Sequence, residues 1–167
     1  MTFTDFLSTV ITGNNLALAG AAIAAIVSGM GSAKGVGMVG EASAGLLSED
    51  PSLFGKALIL QALPGTQGIY GLITAFVIIL KIGLLGTPVT LDIAEGALLF
   101  FAAFPIAIVG YFSAIKQARV AAAGINLIAK RPDEVGKAIT SSALVETYAI
   151  FALLVSLLPV LFFTPGA

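Results

Sequence analysis

The sequence of 167 residues contains no cysteine and no histidine, and only 10% of its residues are charged. The missing cysteine excludes disulfide bonds and thiol nucleophiles, and the missing histidine removes imidazole bases and the usual zinc and haem ligands. A net charge of −1 without a dense basic run lacks the electrostatic footprint expected for nucleic acid, which we exclude as a partner. Without a nucleophile, a base and a metal cluster, the sequence does not support an enzyme in its own right.

Apolar residues dominate the chain. They make up 58% of it, and the mean hydropathy is +1.07, whereas a soluble domain has about a quarter of its residues charged. Four apolar stretches, at residues 16–38, 57–80, 97–115 and 138–163, are each about long enough to cross a bilayer. Segments containing Pro51, Pro88 and Pro132 separate them. The pattern predicts an all-α membrane protein with four transmembrane helices.

The four stretches form two helical hairpins that are copies of each other. When residues 29–80 are compared with residues 110–161, a shift of 81 residues, 16 of 52 positions are identical. The shared residues include a Pro-x3-Gly-Lys-Ala motif, which begins at Pro51 in the first copy and at Pro132 in the second. Composition bias toward alanine and leucine hardly produces such a motif at one offset, so the sequence predicts a tandem duplication. We expect the first hairpin at residues 1–86 and the second at residues 87–167.

Small residues distinguish the first and third helices from the other two. The first helix is rich in glycine, and the third continues through Ala121, Ala122, Ala123 and Gly124. Small residues allow membrane helices to approach closely, because no hydrophobic force drives helices together in lipid. We therefore expect helices 1 and 3 in a crowded inner layer. Helices 2 and 4, which are rich in bulky apolar residues, are expected in a lipid-facing outer layer.

Basic residues predict the orientation in the membrane. Two parallel copies place both proline-containing loops on one face. Seven basic residues cluster toward that face, against Lys81 alone toward the other: Lys34, Lys56, Lys116, Arg119, Lys130, Arg131 and Lys137. The positive-inside rule therefore predicts cytoplasmic loops and both termini outside. The N-terminal segment lacks the positive region of a cleavable signal, so we expect the first helix to remain in the mature protein.

Glu146 is the residue that points most directly to a function. No other charged residue occurs between Ala138 and the C-terminus, so the fourth helix carries this carboxyl deep into the membrane. A carboxylate at the bilayer centre costs about 2.5–3.5 kcal/mol, and such residues usually mark ion or proton pathways. The alternative is a carboxyl that is kept protonated or is held in a structural hydrogen bond.

The second helix carries a stripe of oxygen-bearing groups. Leu63, Thr66, Gln67 and Tyr70 follow the i, i+3, i+4, i+7 spacing of one helix face. Pro64 frees a backbone carbonyl from the helical hydrogen bonds nearby, and the Leu63 carbonyl is a candidate ligand. Individually, each residue also has a structural explanation: a kink at the proline, packing of the tyrosine, or an interhelical hydrogen bond from the glutamine.

The predicted depth brings these groups together with the carboxylate. Thr66 and Gln67 lie 15 and 16 residues beyond one loop proline, while Glu146 lies 14 residues beyond the other and Gln117 lies 15 before it. At 1.5 Å per residue, all four are about 21–24 Å from the loops. The position that matches Glu146 in the first copy is Gly65. The sequence therefore predicts one carboxylate-bearing ion site per four helices.

The donor set favours Na⁺ as the ion. Oxygen ligands around one carboxylate balance a monovalent hard cation, whereas Ca²⁺ or Mg²⁺ would keep an excess positive charge. A proton needs only the carboxyl and a hydrogen-bond acceptor, so Thr66, Gln67 and Gln117 would be superfluous for it. Na⁺ is the prediction, and H⁺ is the alternative.

Four charged residues have no complete explanation in this interpretation: Lys34, Glu41, Lys116 and Arg119. Lys116 adjoins Gln117 at nearly the same predicted depth. Either helices 1 and 3 extend beyond the membrane on the loop side, or these groups pair with one another around a water-filled or lipid-plugged lumen.

Over nearly its whole length the chain resembles the duplicated proteolipid of V-type ATPases, especially the bacterial Na⁺-translocating type. The most specific segments are SGMGSAKGVGMVGEASAG, GKALILQALPGTQGIYG, KQARVAAAGI and ALVETYAI. The resemblance implies a homo-oligomeric rotor ring in the cell membrane, surrounded by lipid. Central-stalk subunits at the cytoplasmic loops would turn this ring against a stator membrane subunit that carries a basic residue. ATP hydrolysis would take place on other subunits.

The resemblance also assigns roles to individual residues. By similarity, Glu146 is the ion-binding carboxylate. Its co-ligands are the Leu63 carbonyl, Thr66, Gln67 and Gln117. Tyr70 is expected to hydrogen-bond Glu146 and to lock the closed site.

Two other classes of function fit less well. A secondary transporter or pore has little room for alternating access in four short helices, and the repeats are parallel with one membrane carboxylate. A purely structural membrane protein leaves Glu146 unexplained.

Overall fold

The computed structural model describes residues 2–166, and the regular secondary structure in these residues is helical. Seven α-helices follow one another in this part of the chain: α1 (Phe3–Val10), α2 (Gly13–Glu49), α3 (Phe54–Ala62), α4 (Thr66–Lys81), α5 (Ile93–Ala102), α6 (Phe104–Lys130) and α7 (Val135–Phe162). Short 3-10 turns at Pro51–Leu53, Leu63–Gly65 and Pro132–Glu134 connect some of them.

Four stretches of helix are long and apolar enough to cross a membrane. They are Gly13–Glu49, Pro51–Lys81, Ile93–Lys130 and Pro132–Phe162, here called the first to fourth spans. The predicted all-α fold with four transmembrane helices is therefore confirmed. The first span has 37 residues, or about 55 Å of helix, against a hydrocarbon core of about 30 Å. The first and third spans continue on the loop side well beyond the predicted apolar stretches, because alanine, glycine and serine keep the backbone helical after the strongly apolar residues end.

Helix α1 is an element that the sequence analysis did not predict. The Thr2 side chain accepts a hydrogen bond from the Asp5 N–H, and the Asp5 side chain accepts one from the Thr2 N–H, which is a capping box. A Thr-x-x-Asp pattern ahead of apolar residues is the signal that could have indicated it. Thr12 then caps α2 by accepting from the Asn15 N–H.

Glycines bring the first and third spans into close contact. A Cβ on Gly31 of α2 would lie 2.5 Å from the Tyr111 Cα of α6, so a larger residue has no room there. Gly71 of α4 is equally constrained, since its Cβ would lie 2.3 Å from the Ala24 carbonyl oxygen of α2. The close approach expected from small residues is therefore present. The assignment of inner and outer layers of a ring stays a prediction.

Large apolar side chains cover the outer faces of α4 and α7. In α4, Leu72 is 61% exposed, and in α7 Phe151 is 60% exposed. In water such a surface would be a large apolar patch, whereas in lipid it is the expected outer surface of a membrane protein. The chain is therefore a multi-pass membrane protein.

Polar contacts tie the two hairpins together at both ends. On the loop side, Lys56 Nζ donates to the Pro132 carbonyl oxygen at 2.7 Å. On the other side, Lys81 Nζ donates to the Leu161 and Phe163 carbonyl oxygens at 2.9 and 3.1 Å. Both lysines thus satisfy backbone carbonyls of the second hairpin, at or beside the ends of the fourth span.

The buried core consists of two apolar clusters with polar side chains between them. One cluster includes Ala24, Ala75 and Ile106, and the other includes Val39 and Leu60. Between these levels the structure buries six polar side chains: Ser28, Ser32, Gln67, Ser113, Gln117 and Ser142. Since each buried polar group requires a partner, this layer is where specific hydrogen bonds define the packing.

Candidate functional site

The Glu146 carboxylate lies in the polar layer and is half-buried. Its Oε1 accepts a hydrogen bond from the Tyr70 hydroxyl. Its Oε2 accepts one from Gln117 Nε2 at 3.2 Å. Side chains from the second and third spans therefore hold the carboxylate of the fourth span in a defined position.

Two fully buried amides continue the network away from the carboxylate. Gln67 and Gln117 both have 0% exposure. Gln67 Nε2 donates to Gln117 Oε1 at 2.5 Å and to Ser113 Oγ at 3.4 Å. Gln117 therefore links Gln67 to Glu146, and its side chain is the central connection of the network.

The turn at Pro64 supplies the remaining oxygens. Residues Leu63–Gly65 form a 3-10 turn between α3 and α4. The Thr66 N–H and the Thr66 hydroxyl both donate to the Leu63 carbonyl oxygen, the hydroxyl at 3.0 Å. Thr66 Oγ1 also lies 3.4 Å from Gln67 Oε1. The break that proline imposes thus places a carbonyl, a hydroxyl and an amide oxygen side by side.

All six residues that the sequence analysis selected meet in this one network. They come from three spans: Leu63, Thr66, Gln67 and Tyr70 from the second, Gln117 from the third and Glu146 from the fourth. The predicted hydrogen bond between Tyr70 and Glu146 is present. The roles of these residues in binding an ion stay predictions.

Serines complete the site, and the sequence analysis missed them. Ser113 Oγ donates to the Val145 carbonyl oxygen at 3.1 Å and accepts from Gln67. Ser32 Oγ accepts from the Gly68 N–H at 2.7 Å. Serine is common in packed membrane helices, so single serines carried little information. The signal was the repeat, because Ser32 and Ser113 are identical residues at the 81-residue shift.

The donor set suits a monovalent hard cation. It offers a carboxylate, two amide oxygens, a hydroxyl and a carbonyl, which are ligands that hard cations prefer. In residues 2–166 no three His, Cys, Asp or Glu side chains group together as a metal site. One carboxylate balances one positive charge, so the chemistry fits Na⁺ better than a divalent ion.

The four unexplained charges lie on the surface of the inner helices. Lys34, Glu41, Lys116 and Arg119 are all exposed. Within the described part of the chain none of them forms an ion pair, since the salt bridge found there joins Lys137 and Glu134. Pairing of these groups within one chain is therefore not the explanation of their positions.

Comparisons with known proteins give a consistent result. A family model described as the C subunit of ATP synthase matches residues 19–78 and, a second time, residues 100–158. The V-type sodium ATPase subunit K of Enterococcus hirae is 48% identical over 157 residues, which cover 94% of this chain and 97% of that protein. The A-type ATP synthase subunit K of Methanocaldococcus jannaschii is 38% identical over 143 residues, which cover 86% of this chain and 60% of that protein. Each family match lies within one hairpin, and the second includes Glu146.

Proposed function

Because the chain belongs to the family of the ATP synthase C subunit, we propose that it is the ion-carrying component of a membrane rotor ring and that it carries Na⁺ on Glu146. The family assignment confirms the resemblance that the sequence motifs indicated. The double match also confirms the tandem duplication. The division between residues 86 and 87 stays a prediction.

The name of one relative supports the choice of ion. The protein that is 48% identical over almost its whole length is a subunit of a sodium ATPase. In this chain the Leu63 carbonyl, Thr66, Gln67 and Gln117 are the proposed Na⁺ ligands together with Glu146. H⁺ is the alternative ion.

The observation that carries the proposal is the hydrogen-bonded network around a single carboxylate in the membrane. Tyr70 and Gln117 hold the two oxygens of Glu146, and Gln67 is fully buried behind them. A bare carboxylate in lipid is costly, at about 2.5–3.5 kcal/mol on insertion scales. A bound Na⁺ would neutralise it, and the oxygen-rich surroundings would replace the water that the ion loses on entry.

Neutralisation explains how the site would move. With Na⁺ bound, the carboxylate carries no net charge and can rotate past lipid, whereas an empty carboxylate pays the cost of exposure to hydrocarbon. Release would then take place at the interface with a stator subunit, where a basic residue can replace the ion as partner. Transfer of one charge against 100 mV costs about 2.3 kcal/mol, so the movement requires coupling to ATP hydrolysis on other subunits.

The proposed sides of the membrane follow from charge. The loops around Pro51 and Pro132, which carry most of the nearby basic residues, are proposed to face the cytoplasm and to contact central-stalk subunits. Both termini are proposed to lie outside.

Carbodiimide labelling tests the ion-binding proposal directly. In membranes containing the assembled complex, the reagent should modify Glu146, and added Na⁺ should protect it, because a carboxylate that holds Na⁺ does not carry the proton that the reaction needs. Mass spectrometry of the labelled chain identifies the site. Glu41, an exposed carboxyl on α2, is the internal control and should show no protection. Labelling of Glu146 that Na⁺ leaves unchanged, but that high pH suppresses, would transfer the proposal from Na⁺ to H⁺.

Replacement of Tyr70 by Phe tests the proposed lock. The Tyr70 hydroxyl donates to Glu146 Oε1, and a hydrogen bond to a charged group contributes about 1.5–3 kcal/mol. We expect the Na⁺ concentration that gives half-protection from carbodiimide to rise about 10- to 150-fold. Tyr111→Phe, in α6, is the control and should leave it unchanged. An unchanged value for Tyr70→Phe would remove the locking role.

A further inference from the structure

A groove on the outer surface of the second hairpin is open in the single chain. It lies between α6 and α7 and has a volume of about 360 Å³. Six of the residues that line it are Val109, Phe112, Ser113, Lys116, Val145 and Tyr148. Phe112 is 60% exposed and Tyr148 is 66% exposed, so large side chains on this face have no partner within one chain.

The internal repeat contains an occupied version of this groove. Subtraction of 81 converts the six lining residues into positions of the first hairpin: Ser28, Gly31, Ser32, Gly35, Pro64 and Gln67. That face is covered by α6 within the chain. A Cβ on Gly31 would lie 2.5 Å from the Tyr111 Cα, and one on Gly35 would lie 3.0 Å from the Ala114 carbonyl oxygen.

The local geometry of the two copies agrees at this level of the structure. Thr66 Oγ1 donates to the Leu63 carbonyl oxygen at 3.0 Å, and the equivalent Thr147 Oγ1 donates to the Leu144 carbonyl oxygen at 2.8 Å. The repeat is therefore a reliable guide to which surfaces correspond.

The residues of α6 that cover the first-hairpin face have exposed counterparts on α2. Gly110, Tyr111 and Ala114 correspond to Gly29, Met30 and Ala33. Met30 is 59% exposed, Ala33 is exposed, and no atom lies within 4 Å of the position that a Cβ on Gly29 would take. The chain thus presents a groove on one side, and the matching helix face for that groove on its other hairpin.

We propose that the groove between α6 and α7 of one copy receives the Gly29–Met30–Ala33 face of α2 from the next copy. The contact repeats between chains the packing that joins the two hairpins within a chain. Such a contact is head-to-tail, and a head-to-tail contact forms a ring when its rotation closes. The inference rests on the ring assembly of the proposed function and adds to it the surfaces by which copies meet.

The proposed junction does not create a second ion site. Gly65, Val36 and Tyr148 stand where the site within the chain has Glu146, Gln117 and Gln67. The junction therefore has no carboxylate and none of the amides. A ring built this way carries one ion site per chain, at the contact between the two hairpins of the same copy.

Cysteine cross-linking tests the proposed contact without background, because the chain has no native cysteine. A Cβ on Gly110 would lie 3.8 Å from the Gln67 Cβ, and the equivalent pair across the junction is Gly29 and Tyr148. The mean Cβ–Cβ distance in disulfides is about 3.8 Å. The variant Gly29→Cys/Tyr148→Cys should form a ladder of covalent oligomers when intact membranes are oxidised. A ladder beyond the dimer is required, since a symmetric two-copy contact stops at the dimer.

The matched control pairs Gly29→Cys with Ile150→Cys. Ile150 corresponds to Ile69, which is 56% exposed and lies outside the contact within the chain, so this pair should remain monomeric. Equal ladders from the two pairs, or none from Gly29→Cys/Tyr148→Cys, would overturn the inference. If that variant does not accumulate, Ala33→Trp provides the second test, because an indole cannot enter the groove. It should release single chains in mild detergent, and an intact ring would contradict the contact. Na⁺ protection of Glu146 in the native chain reports separately on the proposed function.

Discussion

Replacement of Glu146 by Gln is expected to abolish ATP-driven Na⁺ uptake while the chain still assembles. The amide keeps the shape of the side chain and can still accept from the Tyr70 hydroxyl, so packing should survive. It cannot neutralise a cation, and removal of one partner from a buried charge pair costs about 3–5 kcal/mol. This corresponds to a loss of Na⁺ affinity of about 100- to 4,000-fold. Uptake of radioactive sodium by vesicles containing the whole complex measures the effect.

Glu41→Gln is the matched control for this variant. It makes the same chemical change on another spanning helix, at an exposed carboxyl. Its uptake should stay close to that of the native chain. Gel electrophoresis in mild detergent checks that both variants form the ring. Uptake by the Glu146→Gln complex above one tenth of the native rate would contradict the assignment of the ion to this carboxylate.

The position of the site could be predicted because membrane insertion makes a charge costly. Glu146 is the one charged residue from residue 138 to the C-terminus, and helix geometry alone placed Thr66, Gln67 and Gln117 at its depth. The hydrogen bonds between them are a different matter. That Gln67 donates to Gln117, and Gln117 in turn to Glu146, depends on side-chain rotamers that spacing does not determine.

Other features remained out of reach for physical reasons. Helix α1 was missed because eight residues give too short a periodic pattern, and the capping box at Thr2 was the available signal. The full lengths of α2 and α6 were missed because hydropathy falls at the membrane surface while the helix continues. The groove between α6 and α7 required a structure, since only the packing within the chain shows which helix faces remain open.

Replacement of Gln117 by Leu is expected to weaken Na⁺ binding about 100- to 1,000-fold without removing the titratable carboxyl. Gln117 has 0% exposure, donates to Glu146 Oε2 at 3.2 Å and accepts from Gln67 Nε2 at 2.5 Å. The loss of a bond to a charged group costs about 1.5–3 kcal/mol, and a buried amide left without its acceptor costs about 1–3 kcal/mol more. Leucine also removes one of the proposed oxygen ligands. The half-protecting Na⁺ concentration should therefore rise, while labelling without Na⁺ persists.

This combination separates the two candidate ions. A proton binds to the carboxyl itself and does not need the amide oxygens, whereas Na⁺ requires several oxygens to replace its water. Gln61→Leu is the control: Gln61 lies beside Gly40 on the loop side of the site, and its loss should leave Na⁺ protection unchanged. A Gln117→Leu ring whose half-protecting Na⁺ concentration stays within about threefold of the native value, or about 0.7 kcal/mol, would show that this amide does not hold the ion. The oxygen cage would then be a packing feature, and the carboxylate alone would have to account for selectivity.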